Sequence, residues 1–186
     1  MKRTFDLVFA VIFLFILFIP MLIIAILIKA TSPGSVLFWS ERVGQNNMIF
    51  RMPKFRTMRI ETPNVATHLL ENPGLYQTRI GSILRKLSLD EIPQLLSILK
   101  EDMSFVGPRP ALYNQADLIE LRTQVGVHKI LPGVTGWAQI NGRDEISIPE
   151  KVRYDEYYLH NQSGLFDMKI VLVTILKVFK MQGISH

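Results

Sequence analysis

Cysteine is absent from the 186-residue chain, so no disulfide and no thiolate nucleophile or ligand enters its chemistry, which suits a protein facing the cytosol. The histidines at 68, 128, 160 and 186 are scattered and lack metal-ligand spacing. The P-loop, GxGxxG and HExxH patterns are also missing, so the common nucleotide-loop, dinucleotide and zinc-peptidase readings have no support. No internal repeat or low-complexity tract interrupts the chain. Acidic residues are outnumbered, with 16 Asp and Glu against 21 Lys and Arg, giving a formal charge of +5 and a pI near 9.6. Such a balance implies an anionic partner: lipid headgroups, nucleic acid or a phosphorylated small molecule. No nucleic-acid-binding motif accompanies it. The length suits one domain, or one domain with an appendage.

What the chain has in excess is apolar residues, 48% of the total, concentrated at the N-terminus. Leu7 to Ile28 contains no polar or charged side chain. As a helix, about 22 residues reach roughly 33 Å, close to the hydrocarbon thickness of a bilayer. Membrane insertion is therefore expected, with residues 1–30 as the membrane element and 31–186 as a separate domain. The run is too long for a signal peptide, and Ala30-Thr31-Ser32-Pro33 is a poor cleavage site. Pro20 lacks the N–H that would bond the Ile16 carbonyl, which predicts a kink or break. Both flanks are basic, with Lys2 and Arg3 before the run and Lys29, Arg42, Lys54 and Arg56 after it. That pattern permits both ends on the cytoplasmic side. A helix–break–helix that enters one leaflet and returns fits these facts, and so does a kinked single span.

Further along, a turn at 31–34 precedes two short strands, Val36–Trp39 and Met48–Met52, which pattern as a hairpin around Gly44-Gln45-Asn46-Asn47. Lys54 and Arg56 fall on one side of the extended segment that follows, either toward a ligand or as ordinary surface charge. Residues 60–78 read as a loop or flap with a short helical piece. Ile80, Leu84 and Leu87 predict a helix over 79–87. The stretch Arg85–Pro110 then concentrates charge: Arg85 and Lys86, the acid pair Asp90 and Glu91, and Arg109 between two prolines. Ser88-Leu89-Asp90-Glu91 also fits a capping box. With Pro93 confined to a first helical turn, the expectation is that Ser88 caps and Asp90 stays free at an accessible edge.

A helix is expected over 111–126, its charges forming a solvated face and Gly126 stopping it. Pro132–Arg143 reads as a loop whose glycines allow either turns or close approach of a ligand. Ser147 and Glu150 are placed to cap a helix bearing Tyr154, Tyr157 and Tyr158. The last helix, Asp167–Met181, has Asp167 as its N-cap. Lys169, Lys177 and Lys180 lie within an arc of about 80°. That stripe predicts either an interfacial helix in anionic headgroups or a core helix with one wet edge.

Several segments in order, KFRTM (54–58), SLDEIPQL (88–95), DMSFVGPRP (102–110), PGVTGWAQINGR (132–143) and YDEYY (154–158), followed by Asn161 and Asp167, resemble the monotopic polyprenyl-phosphate phosphoglycosyl transferases. These are the bacterial sugar transferases that prime glycan assembly. The resemblance covers nearly the whole chain and is to the small members, which lack extra transmembrane helices and a nucleotide-binding-like domain. It implies a mainly helical α/β fold. A re-entrant membrane helix broken at Pro20 would precede a small cytosolic catalytic domain with interfacial amphipathic helices, on the cytoplasmic face of the bacterial inner membrane. It further implies a Mg²⁺-dependent transfer of sugar-1-phosphate from a nucleoside diphosphate sugar, typically UDP-linked, to polyprenyl (undecaprenyl) phosphate.

By the same resemblance Asp90 would be the nucleophile and a metal ligand, and Glu91 its catalytic partner. Lys54, Arg85, Arg109, Arg143 and Asp167 would bind substrate. The residue types suit such chemistry. A carboxylate nucleophile needs no proton removed, and cations offset charge developing on a diphosphate. Arg109, its backbone stiffened by flanking prolines, can grip phosphate bidentately. The chain departs from the family at Ile19, where a serine usually precedes the proline, and at Glu101, where glycine is usual. A catalytically silent anchored module, binding anionic lipid or a partner glycosyltransferase, shares the charge and the anchor but has no need of an intact acid pair. A carboxylate-pair hydrolase would need its two acids set apart around a water.

Overall fold

A computed structural model describes residues 2–62, 72–142 and 146–179. The chain opens with α1, Lys2–Thr31. The hairpin follows: β1 (Leu37–Val43) runs antiparallel to β2 (Ile49–Phe55), in a register that pairs Leu37 with Phe55 and Val43 with Ile49. It is longer than expected and carries Lys54 within β2. Asn46 and Asn47 turn it in the left-handed region, with φ of 54° and 60°, where asparagine is better tolerated than most residues.

The short α2 (Pro73–Tyr76) provides the helical piece expected between 60 and 78, and the rest of that loop, at 63–71, lies outside the described residues. Then come α3 (Arg79–Lys86), a 3-10 turn over Leu89–Gln94, and α4 (Leu95–Leu99). The strand β3 (Ser104–Val106) is followed by β4 (Ala111–Leu112), which pairs with the free side of β1 and so takes the start of the segment expected to be wholly helical. The remainder of that segment is α5 (Ala116–Gln124), stopped at a left-handed Gly126 as expected. Next are β5 (Gly133–Thr135), parallel to β3, and the short α6 (Trp137–Ile140). Two longer helices, α7 (Ile148–His160) and α8 (Gly164–Phe179), end the described chain. The capping box expected before α7 is present: Ser147 Oγ accepts from the Glu150 N–H, and Glu150 accepts from Ser147 N–H. The architecture is mostly helical, with two small sheets.

α1 is long and apolar enough to cross a membrane, yet one of its faces lies along the rest of the chain. Ala10 packs with Met52, Leu95, Ile98 and Met103, and Leu14 and Leu17 extend that cluster. Ile24 and Ile28 pack with Phe55 and Leu84, joined by Met21 and Ala25. Positions 10, 14, 17, 21, 24 and 28 recur at intervals of three and four, the spacing of one helical stripe. On the opposite side Phe15, Phe18 and Ile19 are exposed. The break expected at Pro20 does not divide α1, because helical residues continue on both sides of it. One missing N–H removes a single rung of the ladder, and in an apolar setting unpairing its neighbours would cost several kcal/mol more, of the order given for hydrocarbon (~2–7 kcal/mol per group).

Polar contacts hold α1 at both ends. Lys2 meets the Tyr158 hydroxyl at 3.1 Å and pairs with Asp167. Arg3 donates to the carbonyls of Ile98 (2.7 Å) and Leu99 (3.3 Å) and to Glu101 (3.2 Å). Asp6, only 3% exposed, accepts from Ser104 Oγ at 2.8 Å and from the Phe105 N–H at 3.2 Å. Beyond the far end, Arg56 grips the carbonyls of Ser32 and Pro33. Glu101 has φ of 69°, so the position favours the glycine usual in the resembled family. In this chain it carries instead the carboxylate that Arg3 meets.

Two expectations about surface helices change. α8 starts at Gly164 with Ser163 Oγ accepting the Phe166 N–H at 3.2 Å, so Asp167 is not its cap. The Asp167 carboxylate accepts from Tyr158 at 2.7 Å and pairs with Lys2, because α8 packs against α7 with this turn facing inward. Of the expected basic stripe on α8, Lys169 is exposed and Lys177 departs from it. Lys177 turns inward to the Ile140 carbonyl at 2.6 Å, Lys169 lies 5.7 Å from the centre of the Trp137 ring, and Lys180 lies outside the described residues. Exposed on α8 are Leu165, Met168, Leu172, Ile175 and Leu176. On α5, Arg122 is buried rather than solvated.

Removing the Asp6 carboxylate leaves a buried hydroxyl and a backbone N–H without their acceptor. Asp6→Ala is expected to destabilise the detergent-solubilised protein by about 2–4 kcal/mol, measured by thermal or denaturant unfolding.

Candidate active site

Three separate pieces of chain converge on the acid pair. Lys54 lies near the end of β2, the 3-10 turn holding Asp90 and Glu91 packs against that strand, and Arg109 follows β3. The acid pair is presented differently from the expected capping box. Ser88 sits in the left-handed region at φ 55°, ψ 21°, and its hydroxyl caps nothing. That conformation turns the chain sharply from α3 into the 3-10 turn, where the Glu91 N–H bonds the Ser88 carbonyl at 3.4 Å. A non-glycine residue held there costs about 1–3 kcal/mol, strain stored beside the acid pair. Pro93 falls inside the same turn, so helical hydrogen bonding resumes only at α4.

The two acids have different surroundings. Glu91 Oε1 accepts from Lys54 Nζ at 2.8 Å and from an Arg109 guanidinium nitrogen at 3.0 Å. Burial alone would raise the Glu91 pKa, but Arg109 and Lys54 outweigh it and hold the carboxyl well below its ordinary range. Asp90 is 8% exposed, and its carboxylate has no hydrogen-bond partner among the described residues. Burial pushes Asp90 up, and the Glu91 charge adds to this, while Lys54, Arg85 and Arg109 pull the other way. Burial lowers the Lys54 pKa, against the pull of Glu91. Arg85, in the last turn of α3, adds its charge to the field at both acids. One acid is thus neutralised by cations, and the other keeps its oxygens available and its basicity raised.

A cavity of about 630 Å³ opens beside Glu91, with Asp90 outside its lining. Glu91 and Arg109 line one part, Phe13 and Leu17 of α1 another, and Thr174 and Lys177 of α8 a third. Gln139, also in the lining, has a buried side-chain oxygen without a partner. The cavity therefore runs from charged groups to the apolar side of the membrane-candidate helix. The glycines of 133–142 take a role within the fold: a Cβ at Gly133 or Gly136 would strike the backbone of Gly107. Their close approach is to the segment carrying Arg109.

Of the residues singled out from sequence, the structure brings together Asp90, Glu91, Lys54, Arg85 and Arg109. Asp167 is engaged with Tyr158 and Lys2 instead, and Arg143 lies outside the described residues. Sequence reasoning missed the buried Arg122–Asp155 pair. A clue was available, since Arg122 follows the buried Leu118 by one helical turn and so shares its face.

The profile of the Bacterial sugar transferase family matches residues 1–181, and the chain belongs to that family. It is 40% identical to the "Uncharacterized sugar transferase EpsL" of Bacillus subtilis, over 100% of this chain and 91% of that protein. It is 36% identical to the "Exopolysaccharide production protein ExoY" of Sinorhizobium fredii, over 98% and 87%. A third relative is the "UDP-glucose:undecaprenyl-phosphate glucose-1-phosphate transferase" of Escherichia coli, 38% identical over 96% of this chain but only 40% of that longer protein.

Glu91→Ala would leave Lys54 and Arg109 as adjacent, largely desolvated like charges. A loss of about 3 kcal/mol is expected in chemical unfolding, with Glu91→Gln losing less because it still offers an acceptor oxygen.

Proposed function

We propose that the chain transfers sugar-1-phosphate from a UDP-sugar to undecaprenyl phosphate, forming undecaprenyl diphosphate sugar and UMP through a phosphosugar-aspartate intermediate on Asp90. The observation that carries this reading is the split between the two acids: Glu91 is held by Lys54 and Arg109, while Asp90 has no hydrogen-bond partner among the described residues. The activity named for the Escherichia coli relative supports the reaction class.

In the first step an Asp90 oxygen attacks the phosphorus bearing the sugar. A P–O acyl phosphate bond forms, the bond to the bridging oxygen breaks, and UMP leaves with that electron pair. In the second, a phosphate oxygen of the lipid attacks the same phosphorus, and the Asp90 carboxylate is the leaving group. Neither displacement requires the nucleophile to lose a proton. Lys54, Arg85 and Arg109 offset charge on the diphosphate as each bond breaks.

A Mg²⁺ ion fits this site only as one shared with substrate. Among the described residues no three His, Cys, Asp or Glu side chains could hold a metal together. Mg²⁺ is commonly held by one or two carboxylates plus substrate phosphates, which Asp90, assisted by Glu91, could provide. When bound it would neutralise phosphate charge.

The lipid's first isoprene units suit the cavity between α1 and α8, which joins apolar walls to Arg109. The exposed apolar faces of α1 and α8 suit burial in a single leaflet, and the anchoring of both ends of α1 to the rest of the chain favours both ends lying on one side of the membrane over a span. With no native cysteine, single-cysteine variants at positions 2 and 30 give a clean test. An impermeant thiol reagent is expected to label both only from the cytoplasmic side; labelling from opposite sides would mean a span.

The reaction is tested by mixing protein, Mg²⁺, undecaprenyl phosphate and a panel of UDP-sugars and measuring UMP. Release is expected with at least one donor and to be lost in Asp90→Asn; activity surviving that substitution removes the proposed nucleophile. Release with no donor favours an anchored module without catalysis.

The pH dependence has a definite sign. The attacking form of Asp90 is ionised and its pKa is raised, so kcat should fall on acidification at a higher pH than an ordinary aspartate, of pKa about 3.9, would give. Lys54→Met removes a cation that lowers the Asp90 pKa, so the acid limb should move to still higher pH.

A further inference from the structure

The segment Pro108–Arg109–Pro110 is unusually short of donors, because proline has no N–H. It is held instead through its carbonyls. The Pro108 carbonyl accepts from the Gly133 N–H at 2.9 Å, the Arg109 carbonyl from Arg122 at 2.8 Å, and the Pro110 carbonyl from Arg42 at 3.2 Å.

Arg122 is itself locked from the other side. Its Nε and a terminal nitrogen donate to one oxygen of Asp155 at 3.0 and 2.6 Å. Arg122 is 8% exposed and Asp155 1%, so this ion pair joins α5 to α7 away from solvent. Buried ion pairs are weak sources of stability, because desolvation offsets their attraction, and apolar side chains of similar volume often serve as well. This one, however, leaves a guanidinium N–H directed at the backbone carbonyl of Arg109 itself.

We infer that Arg122, fixed by Asp155, is a positioning residue: it holds the Arg109 backbone so that the Arg109 guanidinium reaches both Glu91 and the substrate phosphates. Arg122 bonds to neither acid and is not itself a lining residue of the cavity; it meets the lining only at the Arg109 carbonyl. Its influence on the reaction runs through Arg109 alone, and Asp155, in the YDEYY segment, acts one step further back. The inference rests on the reading of Arg109 as a phosphate-binding cation.

A double-mutant cycle on the full-length protein in lipid nanodiscs tests it. With Arg109 intact, Arg122→Met is expected to lower kcat/KM for the UDP-sugar about 30-fold, the scale of a small misplacement of a binding group. In an Arg109→Lys background the same change should cost less than about threefold, because the group being positioned has gone. Equal fold losses in the two backgrounds, or no loss in either, would overturn the inference.

Where Arg122→Met does not fold, Arg122→Lys takes its place. It keeps a charge for Asp155 but cannot bridge to the carbonyl, and about a 10-fold loss is expected. Failure of that variant to fold would mean a purely structural role and overturn the inference. Hydrogen exchange supplies a readout that needs no turnover. Faster exchange confined to 104–115 is expected, whereas acceleration spread through α5 and α7 would overturn positioning. A parent protein that turns over no donor would defeat the phosphate-transfer reading, and the exchange pattern would still decide whether Arg122 holds the segment.

Discussion

Two adjacent carboxylates taken largely out of water cannot both remain charged without nearby cations. The chain meets this constraint by bringing Lys54 and Arg109 onto a single oxygen of Glu91, with Arg85 adding its field from α3. These three residues come from segments distant in sequence, so the hairpin, the 3-10 turn and the β3 loop must converge for the site to exist. The close backbone contact of Gly107 with Gly133 and Gly136 belongs to the same arrangement, seating the loop that delivers Arg109. The site is thus an electrostatic solution first, and the fold is what keeps its parts in register.

The apolar N-terminal helix is part of that solution. Asp6 bonds to β3, Lys2 reaches Tyr158 and Asp167 between α7 and α8, and Phe13 and Leu17 line the cavity that opens at Glu91. Burial and the Asp167 carboxylate both keep the Tyr158 phenol protonated, so this contact is a stable hydrogen-bonded junction across ordinary pH. The lipid acceptor proposed above suits such a construction, because the wall of the cavity is also the helix long and apolar enough to enter a bilayer. The apolar outer side of α8 continues this surface, while Lys177 turns toward the protein.

Much of this was legible from residue order. The apolar run, the hairpin, the cap of α7 and the clustering of charge between Arg85 and Pro110 all follow from local pattern. The errors share a cause. Ser88 fits a capping box by spacing, but capping depends on backbone dihedrals, and Ser88 adopts the left-handed region. Lys177 and Arg122 were assigned to wet faces because they are charged; a long side chain can nonetheless turn inward wherever a carbonyl or a carboxylate awaits it. Glu101 had no assignable role until its positive φ and its contact with Arg3 were both seen.

The sequence by itself determined the long apolar helix, the clustered acid pair and the family, because hydrophobic length and contiguous motifs survive in one dimension. Only the tertiary structure decided which acid is neutralised, what each end of α1 holds, and that a buried Arg122–Asp155 pair stands behind Arg109. The physical reason is that pKa and side-chain direction are set by neighbours across the fold, and those neighbours lie tens of residues away along the chain.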